Sequence, residues 1–131
     1  MIGLDTNVLI RYLAQDDTVQ SSRANESIER KLTEANPGFV SVLAIAEAVW
    51  VLERRYGLAP EQIAAAIERM LEADTLLVDH EQEVFTAMTS LKEGHGSFAD
   101  ALIGALGASA GCSHTVTFDQ KALKLRNFKP L

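Results

Sequence analysis

Cysteine is almost absent from this chain. Cys112 is the only one, so no disulfide can close within it and no thiolate partner is spaced for zinc. That excludes a disulfide-stapled scaffold and a thiol redox centre, and it fits a reducing cytoplasm, with Cys112 read as a small buried residue. Long apolar runs are missing too, none approaching the roughly 18 residues that a bilayer span needs. Asp5 and Arg11 interrupt the first apolar run where a secretory leader would continue it. Neither a membrane protein nor a secreted one is expected. No Pro/Gly-rich linker, low-complexity tract or internal repeat divides the 131 residues. A single domain over 1–131 follows, of a size that buries roughly two thirds of its surface on folding.

Basic side chains are in deficit, 12 against 18 acidic for a net charge of −6, which argues against a partner held by bulk attraction, such as duplex DNA. Histidine is equally sparse. His80, His95 and His114 fall at the ends of elements without the i, i+4 spacing of a helical metal pair and read as surface residues. No Ser/His/Asp order, Gly-rich phosphate loop or CxxC is present. Covalent acyl transfer, P-loop chemistry and thiol redox therefore lack support.

What the chain does have is hydrophobic residues, 47% of the total, at a mean hydropathy of +0.05 that suits a compact soluble protein. They fall into alternating short runs and helical patterns. Met1 to Leu4 reads as a first strand, buried as parallel strands are, and Val8 to Leu13 as a helix. Thr18 to Ala35 reads as an amphipathic helix with Val19, Ile28 and Leu32 inward, stopped by Asn36, Pro37 and Gly38. On it, Arg30 and Lys31 interleave with Glu26, Glu29 and Glu34 as a solvated face. Phe39 to Ser41 is a second strand, followed by a helix through Arg55 that Tyr56 and Gly57 end. Pro60 opens the next helix, through Ile63, Ile67, Met70 and Leu71. Thr75 to Val78 is a third strand, Glu81 to Lys92 a helix, Gly94 to Gly96 a loop, and Phe98 to Ala110 a helix rich in small residues. His114 to Phe118 is a fourth strand and Leu125 to Phe128 a fifth. Strands alternating with helices predict a parallel α/β sheet covered on both faces.

Four acids stand out because each is set in an apolar surrounding. Asp5 follows the first strand, at the sheet edge where ligands bind in open α/β sheets, although Asp5 or Asn7 would also serve as a plain helix cap. Glu47 is the only ionisable group from Ser41 to Leu52, with Leu43, Trp50 and Val51 at helical spacing from it. That stripe predicts a buried carboxylate needing a cation or a metal. Asp100 is the only ionisable residue from Phe98 to Cys112. With Ser97 it matches a capping box, a role compatible with a free second oxygen. Asp119 follows Thr117-Phe118 as Asp5 follows the first strand, so both should reach the same rim.

Bringing such acids together needs a reason, since two charges about 6 Å apart repel by roughly 3 kcal/mol at an effective dielectric of 20. A multivalent cation supplies one. Carboxylate-only ligation selects a hard ion such as Mg²⁺ or Mn²⁺. Four of the twelve basic residues, Lys121, Lys124, Arg126 and Lys129, come in the last eleven positions, and Arg54 with Arg55 forms a second pair. Either group suits phosphate contacts around an acidic centre or a solvated surface.

Taken in order, Asp5-Thr6-Asn7, Glu47 in a helix ending Trp50-Val51-Leu52, Phe98-Ala99-Asp100-Ala101-Leu102-Ile103 and Thr117-Phe118-Asp119 resemble the motifs of PIN-domain proteins, and among them the VapC toxins of bacterial and archaeal toxin–antitoxin pairs. The likeness runs from residue 1 to about residue 125. It implies a Rossmann-like α/β/α sandwich around a parallel sheet of four or five short strands. It also implies a Mg²⁺- or Mn²⁺-dependent endoribonuclease, homodimerisation, and inhibition by a small VapB-like antitoxin. Its acidic site falls on Asp5, Glu47, Asp100 and Asp119, with Thr6, Asn7 and Thr117 in support. Separately, the run of charge after Asp119 makes Lys121, Lys124 and Arg126 the expected contacts to RNA phosphates. The reaction implied is hydrolysis of RNA phosphodiesters, the ion held mainly by Asp5 and Asp100. Two other readings fit the same residues: a metal-dependent phosphoesterase acting on DNA or small phosphates, and a catalytically silent PIN-like binding module.

Overall fold

In the computed structural model, residues 1–14, 26 and 30–131 are described, and they fall into two units, Met1–Asp79 and His80–Leu131. Both are mixed α/β with parallel strands.

The first unit is built on a three-stranded sheet in the order β1-β2-β3, with β1 at Ile2–Gly3, β2 at Gly38–Val40 and β3 at Leu76–Val78. All pairings are parallel, Ile2 facing Gly38 and Gly38 facing Leu76. β2 is therefore the central strand of this sheet, and Val40 at its end is fully buried. β1, expected to be a buried strand, is an edge of this sheet, and Ile2 stays 41% exposed. Because the strands are parallel, their carboxyl ends share one rim, which carries Asp5, Ser41 and Asp79.

Three helices accompany the sheet: α1 at Thr6–Ala14, α2 at Val42–Arg54 and α3 at Pro60–Glu72. α1 packs on α2 and α3 through Leu9, Ile10 and Leu13, which meet Ala44, Ile45, Ala48, Val49 and Leu52 of α2 and Ile63, Ile67 and Met70 of α3 as one buried set. Each large side chain so buried contributes about 1.5–3 kcal/mol. The helix ends follow from local chemistry. The Ser41 hydroxyl accepts from the Ala44 N–H at 3.1 Å, Gly57 takes a φ of +62° after α2, and Pro60 starts α3 where no N–H is needed. The helix expected over Thr18–Ala35 lies largely outside the described residues, Val19 and Ile28 included; where described it ends earlier, Arg30 and Lys31 being helical and exposed and 32–35 not helical, with Leu32 buried just past it and Thr33 and Asn36 exchanging backbone hydrogen bonds in a turn.

The second unit pairs α4 at Glu81–Lys92 with α5 at Phe98–Ser109, and it carries a two-stranded parallel sheet of β4 at Thr115–Thr117 and β5 at Phe128–Pro130. A short 3-10 helix at Ala122–Lys124 joins the strands. Val84, Ala87, Met88 and Leu91 of α4 are buried, as are Phe98, Ala101 and Leu102 of α5. Gly94 and Gly96 both adopt positive φ, 78° and 76°, as the loop between the helices requires. The fifth strand begins at Phe128, where the run from Leu125 was expected to end: Leu125 closes the 3-10 turn on Ala122, and Asn127 at φ 67° makes the turn into the strand. Cys112 is exposed, not buried, because it lies in the turn after α5, its N–H bonded to the Gly107 carbonyl.

Candidate active site

Asp5 follows β1 and opens α1. Its Oδ1 accepts from the Val8 N–H at 2.9 Å, so the capping role is real and occupies one oxygen. Thr6 occupies the first turn of α1, and its hydroxyl donates to Glu47 Oε1 at 3.2 Å. This bond joins two of the expected acids' surroundings within the first unit: Asp5 and Thr6 are consecutive, and Glu47 lies mid-way along α2. Asn7 is exposed beside them.

Glu47 corrects one expectation. It is exposed, not buried, because the buried face of α2 is Ala44, Ile45, Ala48, Val49 and Leu52, while the stripe that Glu47 shares turns outward, with Leu43 67% and Trp50 56% exposed. α2 is apolar on both faces. Glu47 therefore lines a shallow groove of about 330 Å³ with Ala46, Trp50 and Val51. The Arg54 guanidinium lies 5.7 Å from the centre of the Trp50 ring, a cation–π contact that engages one of the two basic residues at the end of α2.

In the second unit, the Ser97 hydroxyl accepts from the Asp100 N–H at 3.1 Å, which is half of the expected capping box. The reciprocal bond is not made, and among the described residues the Asp100 carboxylate accepts no hydrogen bond. Asp119 leaves β4 in a tight turn. Its N–H donates to the Thr117 hydroxyl at 3.0 Å, its Oδ1 accepts from the Lys121 N–H at 2.9 Å, and its carbonyl accepts from Ala122 N–H. Thr117 thus supports the main chain of Asp119 while one carboxylate oxygen stays open. Lys121, Lys124 and Arg126 are exposed. The three histidines are exposed as expected, His95 paired with Glu93 and His114 with the Ser113 hydroxyl.

One rim acid was overlooked in the sequence. Asp79 follows Leu76-Leu77-Val78 as Asp5 follows the first strand, and that repetition was the available signal. Its N–H bonds to the Val40 carbonyl, and its Oδ2 lies 3.4 Å from the Val42 N–H at the start of α2. That geometry gives it a structural task beside the Ser41 cap.

The family model of the PIN domain matches residues 2–127. The chain belongs to the PIN-domain family. The mixed α/β units with parallel strands agree with the Rossmann-like α/β/α fold of PIN domains. No curated protein matches the chain. PIN domains are generally nucleases that use divalent metal ions, which implies a nucleic-acid substrate. Among the described residues no group of three or more His, Cys, Asp or Glu side chains is arranged to hold an ion. In the first unit Asp5 and Glu47 each keep one carboxylate oxygen outside these hydrogen bonds, and in the second unit Asp119 keeps one and Asp100 both. Free carboxylate oxygens are the donor type that suits a hard divalent cation. Among the described residues no helix of this PIN-domain chain is long and apolar enough to cross a membrane.

Proposed function

We propose that the chain is a Mg²⁺- or Mn²⁺-dependent endoribonuclease, a single PIN domain over residues 1–131, and the toxin of a VapBC-type pair. In this reading it works in the cytoplasm as a homodimer and is silenced by a small cognate antitoxin. The observation that carries the reading is the family match over residues 2–127 together with the bond from Thr6 to Glu47, which gives two of the acidic motifs a shared, hydrogen-bonded setting.

Asp5 and Asp100 would hold the ion principally, with Glu47 and Asp119 in support. When bound, such an ion supplies Lewis-acid chemistry, acidifying a water and offsetting charge on a phosphoryl oxygen. The chain's own residues do the positioning. Thr6 fixes the rotamer of Glu47, the Val8 N–H orients Asp5, and Thr117 with the Lys121 N–H fixes Asp119. Lys121, Lys124 and Arg126 would meet the phosphates flanking the scissile bond. No histidine is required as a base.

The test is cleavage of a single-stranded RNA and of a DNA of matched sequence, with Mg²⁺ and with EDTA, by the wild type and Asp5→Asn. Asparagine caps helices as well as aspartate does, so the fold is retained while a charged oxygen is lost. RNA cleavage that needs the metal and falls by orders of magnitude in Asp5→Asn supports the reading. Cleavage indifferent to both would sink it, and preferential cutting of the DNA would replace it with a deoxyribonuclease.

A further inference from the structure

Resting on the ribonuclease reading, we infer that Phe118 is a stacking platform for an unpaired base of the RNA. Thr115 and Thr117 of β4 are half-buried and Val116 between them is exposed, and Phe118, in the bend that directly follows the strand, is exposed as well. Phe118 is 85% exposed, more than any other large hydrophobic residue described. Trp50 differs, since Arg54 already lies over its ring. Among the described residues Phe118 has no such ring contact.

Its chain neighbours select the occupant. The next residue is Asp119, held in its turn by Thr117 and Lys121. From Phe118 to Leu131 there are four basic side chains against one acidic, a net of +3 in a chain whose total is −6. Lys121, Lys124, Arg126 and Lys129 are all exposed. An aromatic face followed by cations is the combination that binds single strands: the ring stacks a base while the cations meet the phosphates. A second copy of the chain or an antitoxin helix would have to meet these exposed cations with acids of its own, whereas a nucleic-acid strand offers a phosphate at every nucleotide. A paired base cannot offer its face, so the platform also selects unpaired RNA over duplex.

The experiment measures binding of a fluorescein-labelled single-stranded RNA octamer, and of a duplex of the same sequence, by anisotropy in EDTA. Wild type, Phe118→Leu and Phe118→Tyr are compared, each checked by thermal melting and sedimentation. Stacking predicts that leucine, apolar but flat-faced no longer, weakens single-strand binding about 5- to 150-fold, the range for removing one base–aromatic stack. Tyrosine should restore it to about twofold of wild type, and neither change should move the salt dependence. Alanine at Lys121, Lys124 and Arg126 should instead lower the logarithmic salt slope by about 2. Leucine binding as tightly as wild type would overturn the proposal. So would a leucine variant that no longer folds, which makes the ring core, one whose only defect is lost self-association, which makes a second copy the occupant, or wild type that binds no RNA. Cleavage in Mg²⁺ is scored separately: binding that follows the aromatic pattern without any cleavage would reject the ribonuclease reading and leave the platform standing.

Discussion

The Thr6 hydroxyl donates to Glu47 Oε1 across 3.2 Å, linking the first turn of α1 to the exposed face of α2. In the proposed enzyme Thr6 touches neither substrate nor ion and acts by holding Glu47. Removing such a supporting bond lowers metal affinity or activity by about 10- to 100-fold. Its effect on stability should stay below about 1 kcal/mol, because the bond is exposed to water. Thr6→Val is expected to show that split, with Thr6→Ser restoring activity. A Mg²⁺ titration of cleavage rate beside a thermal melt checks it, and a melting loss as large as the activity loss would make the bond merely structural.

Gly38 sits in the central strand of the first sheet. A methyl group added there would lie 2.7 Å from a Leu32 methyl and 3.2 Å from methyls of Leu4 and Leu76. Alanine normally gains about 0.5–1 kcal/mol over glycine inside a strand. Three leucines converging on one point should outweigh that gain, since overpacking costs about 1–3 kcal/mol. Gly38→Ala should therefore lower the melting temperature by several degrees. A variant melting at or above wild type would show that the leucines repack freely.

The parts of the fold legible in the sequence were those marked by local chemistry. Pro60, Gly57, Ser97 and the Gly94/Gly96 loop placed helix ends to within a residue or two, because caps and breakers act on the nearest few peptide groups. The face of α2 was not legible. A helix with apolar residues all round offers two stripes, and only the packing of Leu9, Ile10 and Leu13 decides that Ala44, Ile45 and Ala48 go inward while Leu43, Glu47 and Trp50 stay out. The same limit applies to Cys112 and to β1, whose exposure depends on what the rest of the chain covers. The Asp5 motif was visible as a strand end, but Asp79 ends a strand in the same way and both carboxylates accept from an N–H at the start of a helix, so this signal alone does not mark a site acid.

The Ser109 hydroxyl donates to Glu83 Oε1, and this bond holds the Glu83 carboxyl below its ordinary value of 4.5. A carboxyl depressed by folding contributes stability that is present above its unfolded value and lost as pH falls through the folded one. Ser109→Ala removes the donor. The variant should melt slightly below wild type at neutral pH, and the gap should close as pH falls below 4.5. Melting curves between pH 7 and pH 3 would show it. A gap that persists unchanged at pH 3 would assign the effect to lost packing of the α4–α5 pair.

Asp100→Asn separates a metal ligand from a helix cap. Ser97 already supplies the cap to the Asp100 N–H, so the carboxylate is not needed for that bond. What asparagine forfeits for folding is the interaction of a charge with the helix N-terminus, about 0.3–1 kcal/mol, and relief of repulsion from the other proposed acids offsets it. In EDTA the variant should melt within a few degrees of wild type or above it. Added Mg²⁺ or Mn²⁺ should raise the melting temperature of wild type much more than that of Asp100→Asn, since a ligand stabilises the state that binds it. Cleavage should fall by orders of magnitude. A partner stripped from a buried salt bridge behaves differently, with a loss of several kcal/mol that needs no metal to appear. If Asp100→Asn melts far below wild type in EDTA and the ions stabilise neither protein, Asp100 serves the fold and the ion is held elsewhere.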